Sequence, residues 1–219
     1  MRSKGFDLPF NLLPRTLPVF PLPGALLLPG TQLPLNIFEP RYLNMVADAL
    51  GAGRLFGMIQ PDPAAALAEP PRLSRVGCAG RITSFSETDD GRLLIVLVGV
   101  CRFRAGEELA TTRGYRRVVA DWQDFEGDYQ PSLEGFDRGQ FMRVLRSYFR
   151  VRKLDADWQA LEQLDPWRLV NVLSVSLPFE AVDRQALLET PSNDGRASLL
   201  TALLEMALAE RQNVTEIRH

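Results

Sequence analysis

Residues able to do covalent chemistry are scarce in this chain and poorly placed for it. The one histidine is His219, at the end of the sequence. A Ser/His or Cys/His nucleophilic pair would therefore have to recruit a terminal residue, where order is hardest to maintain. Cys78 and Cys101 are the only cysteines, each set among apolar or strand-forming residues, which reads as two buried core thiols rather than a disulfide or a nucleophile. Two lone cysteines and a terminal histidine make no zinc site. Asp124, Glu126 and Asp128 imitate the opening of a calcium loop, but Tyr129 stands where that loop needs glycine and its closing glutamate is missing. A P-loop would need a glycine-rich turn ending in Gly-Lys-Ser or Gly-Lys-Thr, whose amides cradle phosphate while the lysine and hydroxyl engage the γ-phosphate and magnesium. Neither ending occurs. No enzyme activity, metal or cofactor is expected.

Binding chemistry is better represented. Phe38-Glu39-Pro40-Arg41-Tyr42 offers an acid, a base and an aromatic ring, so Glu39, Arg41 and Tyr42 are candidate peptide contacts, although a strand-to-helix junction also needs a cap, a rigid proline and an ion pair. Arg102 could line a groove or lie across the end of a barrel. The proline-rich stretch from Phe20 to Pro29, with Phe20, Leu22 and Leu26, and the Ala/Pro-rich stretch from Asp62 to Pro71 read as loops carrying apolar residues, a usual form of recognition surface. A different chemistry is suggested by Arg143, Arg146 and Arg150, which fall on one helical stripe followed by Arg152 and Lys153, with Arg113, Arg116 and Arg117 not far away in sequence. Such a stripe suits RNA phosphates or is simply a solvated helix face.

The elements that must position these residues divide into a β-rich first half and a helical second half. Pro18, Pro21, Pro23, Pro29 and Pro34 impose short, interrupted strands, because proline lacks an amide donor. Glu39-Pro40 followed by Tyr42, Leu43, Val46, Ala47 and Leu50 predicts a helix from about Pro40 to Leu50. Strands are expected at Leu55–Gln60, from Val76 to Phe85, from Leu93 to Val100 and from Tyr115 to Phe125. Asp89-Asp90-Gly91 between two of them predicts a hairpin with a type I′ turn. Gly77, Gly80 and Gly99 are expected at bends or bulges that curl a sheet of about six strands toward closure. From Leu133 the period changes: Leu133, Phe136, Phe141, Val144, Leu145, Tyr148 and Phe149 share one helical stripe. Asp165-Pro166 starts a second helix ending before Pro178, Glu180 to Glu189 a third, and Ser192 or Asn193 caps a last one carrying Leu199, Leu200, Leu203, Leu204, Ala207 and Leu208.

Composition sets the outer limits. The 219 residues, 46% hydrophobic and 24% charged, suffice for one large domain or two small ones with a sizeable core. No apolar run approaches the roughly 18 to 20 residues of a membrane helix, and no secretory signal is evident, so cytoplasmic residence is expected. A net charge of −2 argues against a surface that seeks nucleic acid generally.

Several segments together resemble one known family. Leu17-Pro18-Val19-Phe20-Pro21-Leu22, then Pro29-Gly30, then Leu33-Pro34-Leu35-Asn36-Ile37-Phe38-Glu39-Pro40-Arg41-Tyr42 is similar to the opening of Lon amino-terminal domains, the substrate-recognition part of ATP-dependent Lon proteases. Val76-Gly77, Gly99-Val100-Cys101-Arg102-Phe103-Arg104, Tyr115-Arg116-Arg117-Val118 and Leu187-Leu188-Glu189-Thr190 continue the likeness to about Arg211. The resemblance implies an α+β fold in which a β pseudo-barrel related to the PUA architecture (residues 1–128) precedes a helical bundle (129–219). It also implies a noncatalytic module binding unfolded or apolar polypeptide segments, with a protease as a further partner. The missing P-loop leads to the expectation of a recognition domain standing without ATPase and protease domains. RNA binding through Arg143, Arg146 and Arg150 is the alternative.

Overall fold

The computed structural model describes residues 8–62, 70–110 and 113–216, with side chains described as far as Glu210. Strands β1 (Thr16–Pro21) and β2 (Gln32–Ile37), helix α1 (Pro40–Gly51) and strands β3 (Leu55–Ile59), β4 (Val76–Glu87), β5 (Leu93–Leu109) and β6 (Arg116–Asp121) come first. Helices α2 (Arg138–Arg152), α3 (Trp158–Gln163), α4 (Pro166–Ser176), α5 (Ala181–Glu189) and α6 (Asn193–Glu216) follow. The α+β class, with strands before helices, is as the sequence reads.

Six strands form one sheet in the order β2-β5-β4-β3-β1-β6, and β5 also pairs with β6. Strands β5, β4, β3, β1 and β6 therefore close into a ring, and β2 is attached outside it as an edge. The length of β5 makes this possible. Its first part pairs with β2, from Gln32↔Val98 to Ile37↔Leu93, and its last part with β6, from Arg104↔Asp121 to Leu109↔Arg117. A register shift lies where Ala79 pairs with Cys101 but Gly80 with Gly99, a bulge that bends the strand pair as closure requires. Gly77 has another reason to be glycine: it pairs regularly with Phe103, and a Cβ there would lie 2.7 Å from the Phe103 ring and 2.6 Å from the Met58 carbonyl oxygen.

Local signals differ from expectation in five places, the first being β5, expected from Leu93 to Val100 but running on to Leu109. In the β4–β5 hairpin only Gly91 has positive φ, at 76°, while Gly91 N donates to Thr88 O at 2.9 Å and Thr88 N to Arg92 O at 3.0 Å. That is a type I turn closed by a left-handed glycine, not a type I′ turn. The strand expected through Phe125 stops at Asp121, and Gln123–Asp128 form 3-10 helix. Leu133 and Phe136 precede α2, which starts after Asp137 accepts a hydrogen bond from Gln140 N at 2.8 Å. Helix α3, capped by Asp157 receiving Ala160 N at 3.0 Å, has no counterpart in the sequence reading. The last helix is capped by Ser192, whose Oγ accepts from Gly195 N at 3.0 Å.

Buried side chains form two clusters. The barrel cluster runs from Leu17 to Phe125 and includes Leu188 of α5; the helical cluster runs from Phe141 to Leu204. Cys78 and Cys101 lie in the first as free thiols.

Candidate functional site

Of the residues singled out in sequence, one group comes together at the end of β1 and the start of α1. The Phe20 and Tyr42 rings lie 4.0 Å apart between centroids at 36°, and the Arg41 guanidinium sits 4.5 Å over the Tyr42 ring. Arg41 Nε donates to Glu39 Oε2 at 2.9 Å. Burial raises the Tyr42 pKa, with Arg41 opposing, so the ring stays neutral and acts as an apolar plate. Phe20 and Tyr42 are mostly buried, Leu22 and Glu39 are half-exposed and Arg41 is exposed. The stretch from residue 63 to 69, most of the expected Ala/Pro-rich loop, lies outside the described residues.

Two further expected contact residues lie still deeper than Phe20 and Tyr42. Leu26 is packed in the barrel cluster. Arg102 is 2% exposed, and it joins the barrel to the helices. Its Nη2 and Nε reach Asp128 Oδ1 at 2.8 Å and Oδ2 at 3.0 Å, and its Nη1 and Nη2 donate to the carbonyls of Leu188 and Pro191, each at 3.1 Å. Arg196, fully buried on α6, donates to Leu187 O at 2.9 Å and to Asn171 Oδ1 at 3.1 Å, and Asn171 Nδ2 in turn donates to Pro29 O at 3.1 Å. Burial, with Arg102 nearby, pushes the Arg196 pKa down to about 9, which leaves it charged at neutral pH. The acidic residues resembling a calcium loop are used here: Asp128 for Arg102, and Asp124 for Arg104.

Nucleophilic chemistry finds little support in this arrangement. Burial raises the pKa of both Cys78 and Cys101, so both remain thiols, the unreactive form. Arg146 is engaged by Glu162 at 2.6 Å and stacks 4.3 Å over Trp158. Arg113 pairs with Asp48 at 2.9 Å and Arg116 with Glu108 at 2.6 Å, while Arg143 and Arg150 of the expected stripe are exposed.

The most available binding surface is one that sequence reasoning passed over, at β2. Gly99 N donates to Thr31 O at 2.9 Å. Alternation from there turns the backbone groups of Leu33, Leu35 and Ile37 toward β5 and those of Gln32, Pro34 and Asn36 to the open edge. Pro34, lacking an N–H, sits where no ladder bond is lost. Near this edge stand two exposed apolar side chains, Phe38 at 60% and Leu94 at 46%, while Phe85, 54% exposed, lies one strand further in, on β4. The registers Asn36↔Leu94 and Phe85↔Ile95 place Leu94 on the outer face and Phe85 on the inner one. An unpaired edge about 20 Å long, flanked by apolar side chains, is suited to an added extended chain. The signal was present: Leu33, Leu35 and Ile37 alternate inward, which leaves Phe38 facing out.

The model of the ATP-dependent protease La (LON) substrate-binding domain matches residues 16–206. Among curated proteins, Lon protease 2 of Thermus thermophilus is 26% identical over 204 residues, covering 90% of this chain and 25% of that protein. Lon protease 2 of Herpetosiphon aurantiacus is 30% identical over 212 residues, covering 93% and 25%. The chain thus spans about a quarter of the length of these relatives. Among solved structures, the Lon N-terminal domain protein from Xanthomonas campestris matches with TM-score 0.60 and 26% identity over 85% of this chain and 97% of that one. The N-terminal domain of the Mycobacterium avium complex Lon protease matches with TM-score 0.62 and 16% identity over 87% and 98%, a likeness of fold.

Proposed function

The chain belongs to the ATP-dependent protease La (Lon) substrate-binding domain family, and from that premise we propose that it is a noncatalytic module that binds unfolded or apolar polypeptide segments and presents them to, or regulates, a protease. The match of the family model over residues 16–206 carries the reading. The free β2 edge with exposed Phe38 and Leu94 beside it supports it, because backbone pairing is indifferent to sequence and apolar flanks favour segments that folded proteins hide. Glu39, Arg41 and Leu22 extend the proposed contact surface, while Phe20 and Tyr42 support it from beneath. In this proposal the barrel of residues 1–128 receives the chain, the helices of 129–219 brace the barrel, and the module works in the cytoplasm. No helix among the described residues is long and apolar enough to cross a membrane.

Burial of apolar surface contributes about 25 cal/mol per Å² before ordering costs, so binding should be of modest affinity and tolerant of sequence. The test is fluorescence anisotropy of fluorescein-labelled casein with the purified chain at low and high salt. Binding that survives high salt supports the reading, whereas no binding, or binding abolished by salt, contradicts it.

A further inference from the structure

Beside the start of β2 lies a cleft of about 480 Å³, in which Thr31 and Gln32 face Leu161, Arg168, Val172 and Val175. Arg168 is half-buried on α4, and among the described residues its side chain makes no hydrogen bond or ion pair. Other buried or half-buried arginines of the helical half are satisfied. Arg138 donates to the carbonyls of Leu161, Glu162 and Leu164 at 2.9, 2.7 and 2.7 Å, so the acceptors ending α3 on the cleft wall are already used. Arg184 donates to Phe179 O and Gly24 O, both at 2.9 Å.

A guanidinium beside Leu161, Leu164, Val172 and Val175, with Thr31, Gln32 and Ser176 on the rest of the wall and its own donors unpaired, is a recognition element for a planar anion, and carboxylate matches its fork. One cation suits a single negative charge. The apolar walls require that the anion be attached to an apolar body. Gln32 belongs to the cleft wall and is also the first residue of the free edge of β2, so a chain lying along that edge arrives at the cleft.

We propose that Arg168 receives the free C-terminal carboxylate of a bound polypeptide whose last side chain is apolar and fills this cleft, the preceding residues lying along β2. The proposal rests on the polypeptide-binding reading and adds a substrate class to it: chains presenting an apolar C-terminal residue.

The test compares a fluorescein-labelled unstructured peptide ending in Val-Leu as the free acid with the same peptide as its C-terminal amide. The free acid should bind at least about tenfold more tightly, the effect of a charge-assisted hydrogen-bonded pair. R168Q should abolish that preference while binding the amide as the unaltered chain does, and R168K should keep part of it. Equal binding of acid and amide, or a preference surviving in R168Q, overturns the proposal. So does competition by N-acetylleucine as strong as that of the unlabelled peptide, which would make the cleft a site for a small acid. If casein binds but acid and amide are equivalent, this inference alone fails; if neither casein nor peptide binds, the function proposed above fails with it.

Discussion

Replacing Asp128 by alanine removes the carboxylate partner of Arg102 while leaving the guanidinium where it is. Both side chains are 3% exposed, so the stranded charge cannot turn to water. Asp128 also accepts the backbone N–H of Arg102 at 2.9 Å. Breaking a buried pair from one side costs about 3–5 kcal/mol. The upper part of that range is expected here, because Arg196 is close enough that Arg102 depresses its pKa and Asp128 raises it, so the alanine variant leaves two buried cations facing each other. For a chain of this size the loss corresponds to a fall in Tm of about 6–20 °C. D128N, which keeps the shape and loses the charge, should fall between D128A and the unaltered chain. Urea unfolding followed by tryptophan fluorescence and by circular dichroism measures the difference. A loss below about 1 kcal/mol for D128A would refute the claim that this pair joins barrel to helices.

Four other outcomes follow from the same geometry. G77A should destabilise by about 1–3 kcal/mol through overpacking against Phe103 and the Met58 carbonyl, read as a lower urea midpoint; an unchanged midpoint contradicts it. Cys78 and Cys101 should resist alkylation at pH 8 in the folded protein and react on unfolding, whereas native labelling at the rate of a free thiol would show that they are not shielded. The hydrogen bonds from Arg116 lower the Glu108 pKa below 4.5, so its stabilising contribution is present above that value and lost as pH falls through the lowered folded one. The stability difference between the unaltered chain and E108Q, of about 0.5 kcal/mol, should therefore vanish in acid; a difference that grows on acidification has the wrong sign. F38S should weaken casein binding several-fold with little change in Tm, and unaltered binding would remove Phe38 from the contact surface.

The elements that could be read from sequence are those whose signals are local. Glu39-Pro40 set the start of α1, and the prolines and alternating apolar residues set β1 and β2. Helix α3 escaped because it is only six residues long and none of them is fully buried, so its marks are short: Asp157 as cap, then Trp158 and Leu161 packing partly buried on the helical cluster. Closure of the barrel depends on β5 pairing with β6 through a shifted register, which no periodicity encodes. Arg102 was legible as a residue to lay across a barrel end but not as a clamp, since its acceptors at the end of α5 and just after it lie 86 to 89 positions away. Arg196 did leave a trace, as the charged residue at i−4 and i−8 from Leu200 and Leu204 on the buried side of α6. Leu26 reads as a loop residue because Ala25-Leu26-Leu27-Leu28 has no alternation to reveal that the run turns inward. Arg168 is one of many arginines in the sequence; only the packing that leaves it without an acceptor distinguishes it.

Backbone amide hydrogen exchange of the chain, free and with unfolded casein in high salt, tests the central claim most directly. The account predicts new protection at the outward amides of β2, at Gln32 and Asn36, and around Phe38, with little change on the arginine face of α2. Protection confined to α2, or none at β2 while casein is bound, would contradict it.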